Sequence, residues 1–370
     1  MPRNRMVARS RLLVSILVVP LLLYLAWFLL SPRKGTIANF DSIALKFYLE
    51  QLHGPSVSPI NQSYSLDHAF TFTLSGEPAW TEHLKERICI IDLHNGTFTE
   101  AGEAFDPAGM SWQRTVTSRF EGISLGMLNH WIYARIHGYK YYHISIEESH
   151  DRRMSWKKPS ILASILQHHD VCVYIDTDAT FARLDLPLEW LLNYWQIDPK
   201  AHSMALATDP QKAGNIDEMG NVFHNTGFIV LRKSPRTFEI LKQWDKCPDD
   251  GEPYPGCTRF RTRKFYRLDK ARKNLIITGT DQAGFGNYVR YDYPESIATL
   301  NCSEANGFPQ SGSECDGTFV RHFWTGKHTH IKVEMARQAP GRYLELLNAQ
   351  YRREREDFWI EEATLAKRGS

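Results

Sequence analysis

Short apolar stretches alternate along the middle of the chain with stretches in which apolar residues recur at helical spacing. Uninterrupted apolar stretches of this length are typical of strands buried on both faces of a sheet. We therefore predict strands over residues 88–93, 141–146, 171–175, 204–207 and 227–231.

Helices are predicted between these strands from apolar spacing and from residues that favour helix ends. Residues 120–137 form one helix, which Gly138 is placed to end. A second covers residues 159–167, and a third begins after Ser234 as N-cap with Pro235 in its first turn. Strands that alternate with helices predict an α/β fold with a doubly wound, mainly parallel sheet and flanking helices.

The N-terminal residues follow a different pattern. Residues 12–30 carry no charged side chain, and as a helix they would span roughly 28 Å, about the thickness of a bilayer core. More basic side chains precede this stretch than follow it, so we expect a cytosolic N-terminus and a luminal remainder. A cleaved signal peptide is the alternative, but large apolar residues end the stretch where cleavage needs small ones. The predicted divisions are a cytosolic tail (1–11), a transmembrane signal anchor (12–30), a proline-interrupted stem (31–80) and a luminal domain (81–370).

Two further helices are predicted outside the alternating region. One is short and lies within the stem, near residues 43–52. The other is a charged helix over residues 341–367, in which Tyr343, Leu347 and Tyr351 form a stripe suited to docking on the domain.

The composition is that of an ordinary globular protein. Hydrophobic residues make up 42% and charged residues 23% of the chain. The formal net charge of +2 implies no strongly acidic partner, and no nucleic acid is predicted as a partner. The aromatic content of 12% suits sugar binding, but aromatic residues also fill protein cores.

Cysteines and glycosylation sequons both suit a luminal chain. Six cysteines allow fifteen pairings, but two pairs each flank a polar loop and favour local disulfides. Cys89 and Cys172 instead lie within apolar strands, and we predict that they are buried thiols. The predicted local disulfides are Cys247–Cys257 and Cys302–Cys315, and the sequons begin at Asn61, Asn95 and Asn301.

A predicted buried strand leads directly into two acidic residues, Asp176 and Asp178. Carboxylates two residues apart at a strand end can converge on one cation, and oxygen ligands suit Mn²⁺ or Mg²⁺. Such a cation can bridge to a diphosphate and offset the charge of a leaving group. The pattern is short, and the alternative is a polar exit from the strand in which Asp176 only caps a helix or forms a turn.

Other polar residues stand at the ends of predicted elements, in the order Trp156 and Lys158, then Asn225, Thr226 and Gly227, then Asp281 and Gln282, and finally His322 and Lys327. In this order the motifs resemble those of the fungal and plant galactosyl-/mannosyl-/xylosyltransferase family and, more broadly, the GT-A nucleotide-diphospho-sugar transferases. The resemblance runs from about Arg87 to Lys332 and includes the stem-and-anchor layout. It implies a GT-A-like fold, a nucleotide diphosphate sugar as donor, a glycan acceptor on protein or polysaccharide, a single-pass type II Golgi membrane location and a glycosyltransferase complex as partner.

The resemblance also implies a metal site. Asp176 would contact the nucleotide ribose and bind Mn²⁺ or Mg²⁺, Asp178 would bind the ion, and His322 would supply a third ligand. A lone histidine in an apolar strand is otherwise most often a hydrogen-bonded core residue.

Other residues receive roles from the resemblance alone. Lys158 and Lys327 would contact the nucleotide or its diphosphate, and Asn225 with the Thr226 backbone would line the donor-sugar or acceptor side. Asp281 and Gln282 would face the reacting carbon and the acceptor hydroxyl. Each has a simpler explanation, namely a solvated lysine, a turn before a strand, or an acid that caps a helix.

The sequence departs from the family at two places. Trp324 stands after Phe323 where relatives carry a smaller residue, and Asp281 with Gln282 replaces an acidic-Gln-Asp order. Both departures bear on the acceptor and on the catalytic base.

The resemblance implies a transferase that retains the anomeric configuration through an oxocarbenium-like transition state. Two alternatives stay open. Asp176, Thr177, Asp178 and Thr180 also fit the motif of haloacid-dehalogenase-like phosphatases, in which Asp176 would be the nucleophile, although two predicted strands precede the one that carries it. The chain would otherwise be a catalytically silent subunit of a glycosyltransferase complex.

Overall fold

A computed structural model describes residues 34–66, 70–117, 122–249, 251–262, 264–267, 275–278, 280–338 and 341–368. The predicted tail (1–11) and signal anchor (12–30) lie outside these residues. No helix within the described ranges is both long and apolar enough to cross a membrane. The compact unit that contains the sheet begins at Leu49. The assignment of residues 31–80 to a stem stays a prediction.

The described chain contains short strands throughout its length. They are β1 (Ser63–Leu66), β2 (Phe70–Thr73), β3 (Ile88–His94), β4 (Lys140–Ser145), β5 (Val171–Ile175), β6 (Ala179–Phe181), β7 (Met204–Thr208), β8 (His224–Arg232), β9 (Lys264–Arg267), β10 (Leu275–Thr278), β11 (Ile297–Leu300), β12 (Val320–His322) and β13 (Trp359–Glu361).

Helices connect most of these strands. They are α1 (Lys34–His53), α2 (Trp112–Thr117), α3 (Gly122–His137), α4 (Lys158–Leu166), α5 (Leu188–Tyr194), α6 (Pro235–Lys246), α7 (Asp281–Asn287), α8 (Cys302–Ala305), α9 (Lys327–Gln338), α10 (Gly341–Arg353), α11 (Arg355–Phe358) and α12 (Glu362–Arg368).

Seven strands form one sheet in the order β11-β7-β8-β5-β3-β4-β13. All neighbouring pairs are parallel except those made by β8, which is antiparallel to both β5 and β7. The five strands predicted from apolar stretches all belong to this sheet. The predicted fold class, an α/β fold with a mainly parallel sheet and flanking helices, is confirmed.

Both faces of the sheet are covered, as the uninterrupted apolar strands predict. Cys89 and Ile91 of β3 pack with α4 residues in one core cluster. Ile88 and Ile90 point to the opposite face, because side chains alternate along a strand, and they are fully buried as well. Helix α3 contacts β3 and β4 and lies outside that core cluster, so it covers the second face.

Local signals place the predicted helices well. The Ser234 hydroxyl accepts from the Thr237 backbone N–H at 3.1 Å, and Pro235 occupies the first turn of α6. Gly138 follows α3 with φ +73°, a conformation that favours glycine and ends the helix. Helix α1 is longer than the short helix predicted near residues 43–52, and the β1–β2 hairpin was not predicted.

The single C-terminal helix predicted over residues 341–367 is wrong. The segment is divided into α10, α11, β13 and α12. Strand β13, made of Trp359, Ile360 and Glu361, interrupts the helical segments and pairs in parallel with β4 at the edge of the sheet. Burial of Ile360 in the main core favours the strand over continued helix. Leu347 and Tyr351 of the predicted stripe are buried.

The structure contains three disulfides. The two predicted local bonds, Cys247–Cys257 and Cys302–Cys315, are confirmed. The prediction that Cys89 and Cys172 are thiols is wrong, because these residues form a third disulfide. They lie directly opposite each other on neighbouring parallel strands β3 and β5, a pairing that depends on the register of the sheet.

Candidate active site

Asp176 and Asp178 lie in the turn between β5 and β6, which we call the acidic turn (residues 176–179). Strand β12 pairs with β6 and places His322 opposite Ala179. The His322 Nε2 atom is 3.2 Å from Asp178 Oδ1 and 3.7 Å from Asp176 Oδ2. One ligand atom from each of the three side chains lies within 4.8 Å of the others, so the group is compact enough to hold one cation.

Gly227 supplies the space that this cluster occupies. Its carbonyl accepts from the Asp176 backbone N–H at 2.7 Å, so the start of β8's apolar stretch runs against the acidic turn. A Cβ atom at residue 227 would lie 2.4 Å from His322 Cε1 and 2.8 Å from Asp176 Oδ2. The glycine is therefore required by the close approach of the two predicted ligands.

Positive groups surround Asp178. Its carboxylate is 3.3 Å from the Lys327 Nζ atom, which lies at the start of α9. Burial alone would raise the pKa of Asp178, but His322 and Lys327 outweigh burial and hold that pKa well below its usual range. Burial alone would lower the pKa of His322, but Asp178 and Asp176 raise it. His322 and Lys327 therefore offset the charge of the carboxylates, and a cation bound here would compete with these two groups for it.

Lys158 is buried at the start of α4 and connects two predicted site residues. Its Nζ atom donates to the Thr226 carbonyl at 2.8 Å, and it lies 3.3 Å from Asp281 Oδ2 and 3.8 Å from Asp176 Oδ1. Burial alone would lower the pKa of Lys158, but the two carboxylates raise it above its usual value. The Thr226 hydroxyl also donates to Asp281, at 3.2 Å. The Asp281 carboxylate is therefore held by Lys158 and Thr226. These contacts suit a role in holding Lys158 in place, as well as the role that the sequence predicts for Asp281.

Asp209 was not predicted and joins several predicted residues. It follows β7 directly, is buried, and accepts from the Gln282 amide at 2.6 Å and from the Asn225 amide at 2.8 Å. Asn306 donates to the same carboxylate at 3.3 Å. Burial raises the pKa of Asp209 despite these hydrogen bonds. The rule that ligands bind beyond the carboxyl ends of parallel strands is the one sequence signal that would have drawn attention to it.

A cavity of about 410 Å³ opens beside Asp176. Its walls come from the ends of β3 and β5, the segment after β4, the residues before α4 and the start of α7. His94 stands on its wall, and the His94 Nδ1 atom accepts from the Gly96 backbone N–H at 2.7 Å. The volume is ample for part of a nucleotide-sized ligand. The lining residues are Leu93, His94, Asn95, Ile146, Met154, Ser155, Lys158, Tyr174, Asp176, Thr226, Thr280, Asp281 and Gln282.

The C-terminal segment supports one wall of this cavity. Glu362 accepts from the Glu147 backbone N–H at 2.9 Å and from Lys157 Nζ at 2.5 Å. These contacts hold both ends of the segment that carries Met154 and Ser155 to the cavity wall.

The structure thus brings the predicted site residues together at one edge of the sheet. Asp176, Asp178, His322 and Lys327 form one cluster, and Lys158, Asp281, Gln282 and Asn225 form an adjoining hydrogen-bonded network. Their individual roles stay predictions. The arrangement offers a cation site, a cavity and paired carboxylates in one place.

Comparison with known proteins gives the site a context. A family profile described as nucleotide-diphospho-sugar transferase matches residues 143–321, a segment that contains both acids and ends one residue before His322. No curated protein matches the chain.

Solved structures that are similar to the chain include three glycosyltransferases. A glycosyltransferase involved in the glycosylation of the major capsid of PBCV-1 is 14% identical over 68% of this chain and 98% of that chain, with a TM-score of 0.43. The glycosyltransferase GlyE of Streptococcus pneumoniae TIGR4 is 11% identical over 73% and 64%, with a TM-score of 0.34. Mouse xyloside xylosyltransferase 1 is 12% identical over 64% and 96%, with a TM-score of 0.31.

Proposed function

We propose that this chain is a metal-dependent, retaining glycosyltransferase, because residues 143–321 match the family profile described as nucleotide-diphospho-sugar transferase. It moves a hexose or pentose, of the α-galactosyl or α-mannosyl transfer type, onto a glycan of a protein or polysaccharide. It acts in the Golgi lumen, anchored by residues 12–30, alone or in a glycosyltransferase complex. The observation that supports this proposal best is the cluster of Asp176, Asp178 and His322 beside the cavity.

The donor set fits a divalent cation. The two carboxylates suit Mn²⁺ or Mg²⁺, His322 adds an imidazole ligand, and Gly227 leaves the space that a Cβ atom would fill. Asp176, Asp178 and His322 would hold the ion. When bound, the ion supplies positive charge that offsets the charge of the departing diphosphate.

The chain's own residues then bind and orient the donor. Lys327 is partly exposed beside Asp178 and provides a mobile cation for the phosphates. Lys158 is buried and fixes Asp176 and Asp281 relative to each other. Gln282 lines the cavity and donates to Asp209, so we assign this pair to the transferred sugar and its reacting carbon.

The proposed reaction exchanges one bond at the anomeric carbon for another. The bond from that carbon to the phosphate oxygen breaks, the bond to the acceptor oxygen forms, and the acceptor proton leaves with the nucleotide diphosphate. Asp281 is held by Lys158 and Thr226 on the protein side, so we place no nucleophile or strong base there. Gln282, which Asp209 holds in place, stabilises positive charge on the sugar ring.

The test is a donor screen with the full chain. We expect hydrolysis or transfer with one of UDP-galactose, UDP-glucose, UDP-xylose or GDP-mannose that requires Mn²⁺ or Mg²⁺ and stops with chelator. Asp178→Asn should lower turnover at least a hundredfold, since one metal ligand loses its charge. The matched control is Asp249→Asn, because Asp249 pairs with Arg152 outside the site, and this variant should keep wild-type turnover.

Other outcomes would contradict the proposal. Turnover of phosphomonoesters without any nucleotide sugar would favour the phosphatase hypothesis. Stoichiometric nucleotide-sugar binding without turnover would favour a silent subunit. Turnover that continues in the presence of chelator would show that the reaction does not require a metal.

A further inference from the structure

Helix α3 contacts the acidic turn along one of its faces. The Gly126 Cα approaches the Thr177 carbonyl so closely that a Cβ atom at residue 126 would lie 2.1 Å from the Thr177 oxygen. The Asn129 side chain accepts from the Phe181 backbone N–H at 2.7 Å and donates to the Phe181 carbonyl at 3.1 Å. Helix and turn are therefore fixed to each other on both sides of Asp178 and Ala179.

His130 contacts the acidic turn between the contacts that Gly126 and Asn129 make. Its Nε2 atom is 3.0 Å from the Ala179 carbonyl oxygen, and its Nδ1 atom is 2.7 Å from Asp92 Oδ1. The Tyr141 hydroxyl donates to the other oxygen of Asp92. His130, Asp92 and Ala179 are all fully buried.

The donors in this chain of contacts follow from the chemistry of the acceptors. A backbone carbonyl can only accept, so His130 Nε2 carries a hydrogen. One further proton is shared between Nδ1 and the carboxylate of Asp92, which fixes the orientation of the ring. The ring is thus held from β3 and donates to the acidic turn.

The place of Ala179 in the fold explains how its hydrogen bond with His130 can affect the predicted metal ligands. It follows Asp178 directly in the chain, and it pairs with His322 in the β6–β12 register. A shift of the Ala179 backbone would move two of the three predicted metal ligands together.

We propose that His130 is a positioning residue for the metal site: its hydrogen bond to the Ala179 carbonyl holds Asp178 and His322 in place relative to Asp176, and Asp92 holds the His130 ring. The inference rests on the proposed function, since it depends on a cation at Asp176, Asp178 and His322. His130 does not touch the cation or the substrate, and it acts through the backbone of the acidic turn.

The same helix provides a matched control. His137 is also buried on α3, and its Nε2 atom donates to the Leu184 carbonyl at 2.8 Å. This bond has the same donor and acceptor types but lies beyond β6, away from the two acids. Loss of either bond should cost similar stability, and only loss of the His130 bond should affect the metal.

The experiment measures Mn²⁺ affinity of the full chain by electron paramagnetic resonance, with thermal unfolding followed in parallel. His130→Asn places its amide near Nδ1 and loses the bond to Ala179, so we expect Mn²⁺ binding about 10- to 100-fold weaker. His130→Gln places its amide near Nε2, keeps that bond, and should bind Mn²⁺ within a few fold of wild type. His137→Asn should bind Mn²⁺ as wild type does.

Equal Mn²⁺ affinity of His130→Asn and wild type, or equal weakening in His137→Asn, overturns this inference and leaves the proposed function intact. Absence of Mn²⁺ binding by the wild-type chain overturns the proposed metal site itself. Should His130→Asn fail to fold, Gly126→Ala replaces it, because the added Cβ atom displaces the same turn. Gly76→Ala is then its control, since a Cβ atom there meets nothing within 4 Å. Weaker binding in Gly126→Ala than in Gly76→Ala supports the inference, and equal binding overturns it.

Discussion

Gly227 determines whether the predicted metal ligands can approach one another. It follows Asn225, whose amide donates to Asp209, and Thr226. The Thr226 carbonyl accepts from Lys158, and the Thr226 hydroxyl donates to Asp281. The Asn225 side chain accepts from the Gly227 backbone N–H at 2.7 Å, which fixes the backbone where it passes the acidic turn. Any side chain at residue 227 would occupy the space between His322 and Asp176.

We predict that Gly227→Ala weakens Mn²⁺ binding by about 10- to 100-fold or more, because the new methyl group pushes His322 away from the acids. Isothermal titration with Mn²⁺ measures the change. Gly76→Ala is the matched control, since a Cβ atom there meets nothing within 4 Å, and it should leave Mn²⁺ affinity unchanged. Wild-type affinity in the Gly227→Ala variant would mean that the three side chains do not share an ion.

Part of the site could be predicted from the sequence, and another part could not, for a physical reason. Asp176 and Asp178 are visible because they follow a buried strand directly, and His322 because it stands in a recognisable order of motifs. Asp209 also follows a strand, but as a single acid, and His130 and Asp92 carry no such signal. Their importance comes from contacts between distant segments, and an aspartate after a strand or a histidine on a helix has many ordinary explanations.

At the scale of elements, the same distinction explains the disulfide between β3 and β5. The apolar stretches predicted both strands correctly, but they say nothing about which residues of the two strands face each other. Cys89 and Cys172 can bond only because the register places them opposite one another, with Cα atoms 4.5 Å apart. The C-terminal strand β13 was missed for a related reason, since its three residues are too few to show a period of their own.

We predict that Cys89→Ala/Cys172→Ala lowers the free energy of unfolding by about 4–5 kcal/mol, on the chain-entropy account of a bond between residues 83 apart. Cys247→Ala/Cys257→Ala removes a bond between buried residues only 10 apart, and the same account gives about 3 kcal/mol. Denaturant unfolding of both variants without reductant measures the difference. If the second variant loses as much stability as the first, loop entropy does not govern the contribution of these bonds.

At the scale of the whole molecule, buried histidines in separate elements make stability depend on pH. Burial lowers the pKa of His137 on α3 to about 3 and that of His143 on β4 to about 4. Burial, with a smaller contribution from the Arg290 charge, lowers the pKa of His224 on β8 to about 4. The three histidines lie on one helix and on two different strands of the sheet. Their effect on stability therefore belongs to the fold and not to the site alone.

The direction of the effect follows from proton uptake. Between the ordinary histidine pKa of 6.5 and the lowered values near 4, the unfolded chain binds protons that the folded chain does not. Stability is therefore fully present above pH 6.5 and falls as the pH drops toward 4, by up to about 1.4 kcal/mol per pH unit for each group. The folded state becomes less stable in acid even before its carboxylates titrate.

His143 gives the sharpest test of this dependence. Its ring stacks on Trp359 with centroids 4.6 Å apart, and neither ring nitrogen has a hydrogen-bond partner among the described residues. His143→Phe keeps an aromatic ring and removes the titrating group, so the fall in unfolding free energy between pH 6 and pH 5 should become shallower by about 1 kcal/mol per pH unit. Urea unfolding at several pH values measures this slope, and His150→Phe, at an exposed histidine, should leave it unchanged. A wild-type slope in His143→Phe would show that His143 takes up its proton without unfolding, which would require a hydrogen-bond acceptor to reach the ring in the folded state.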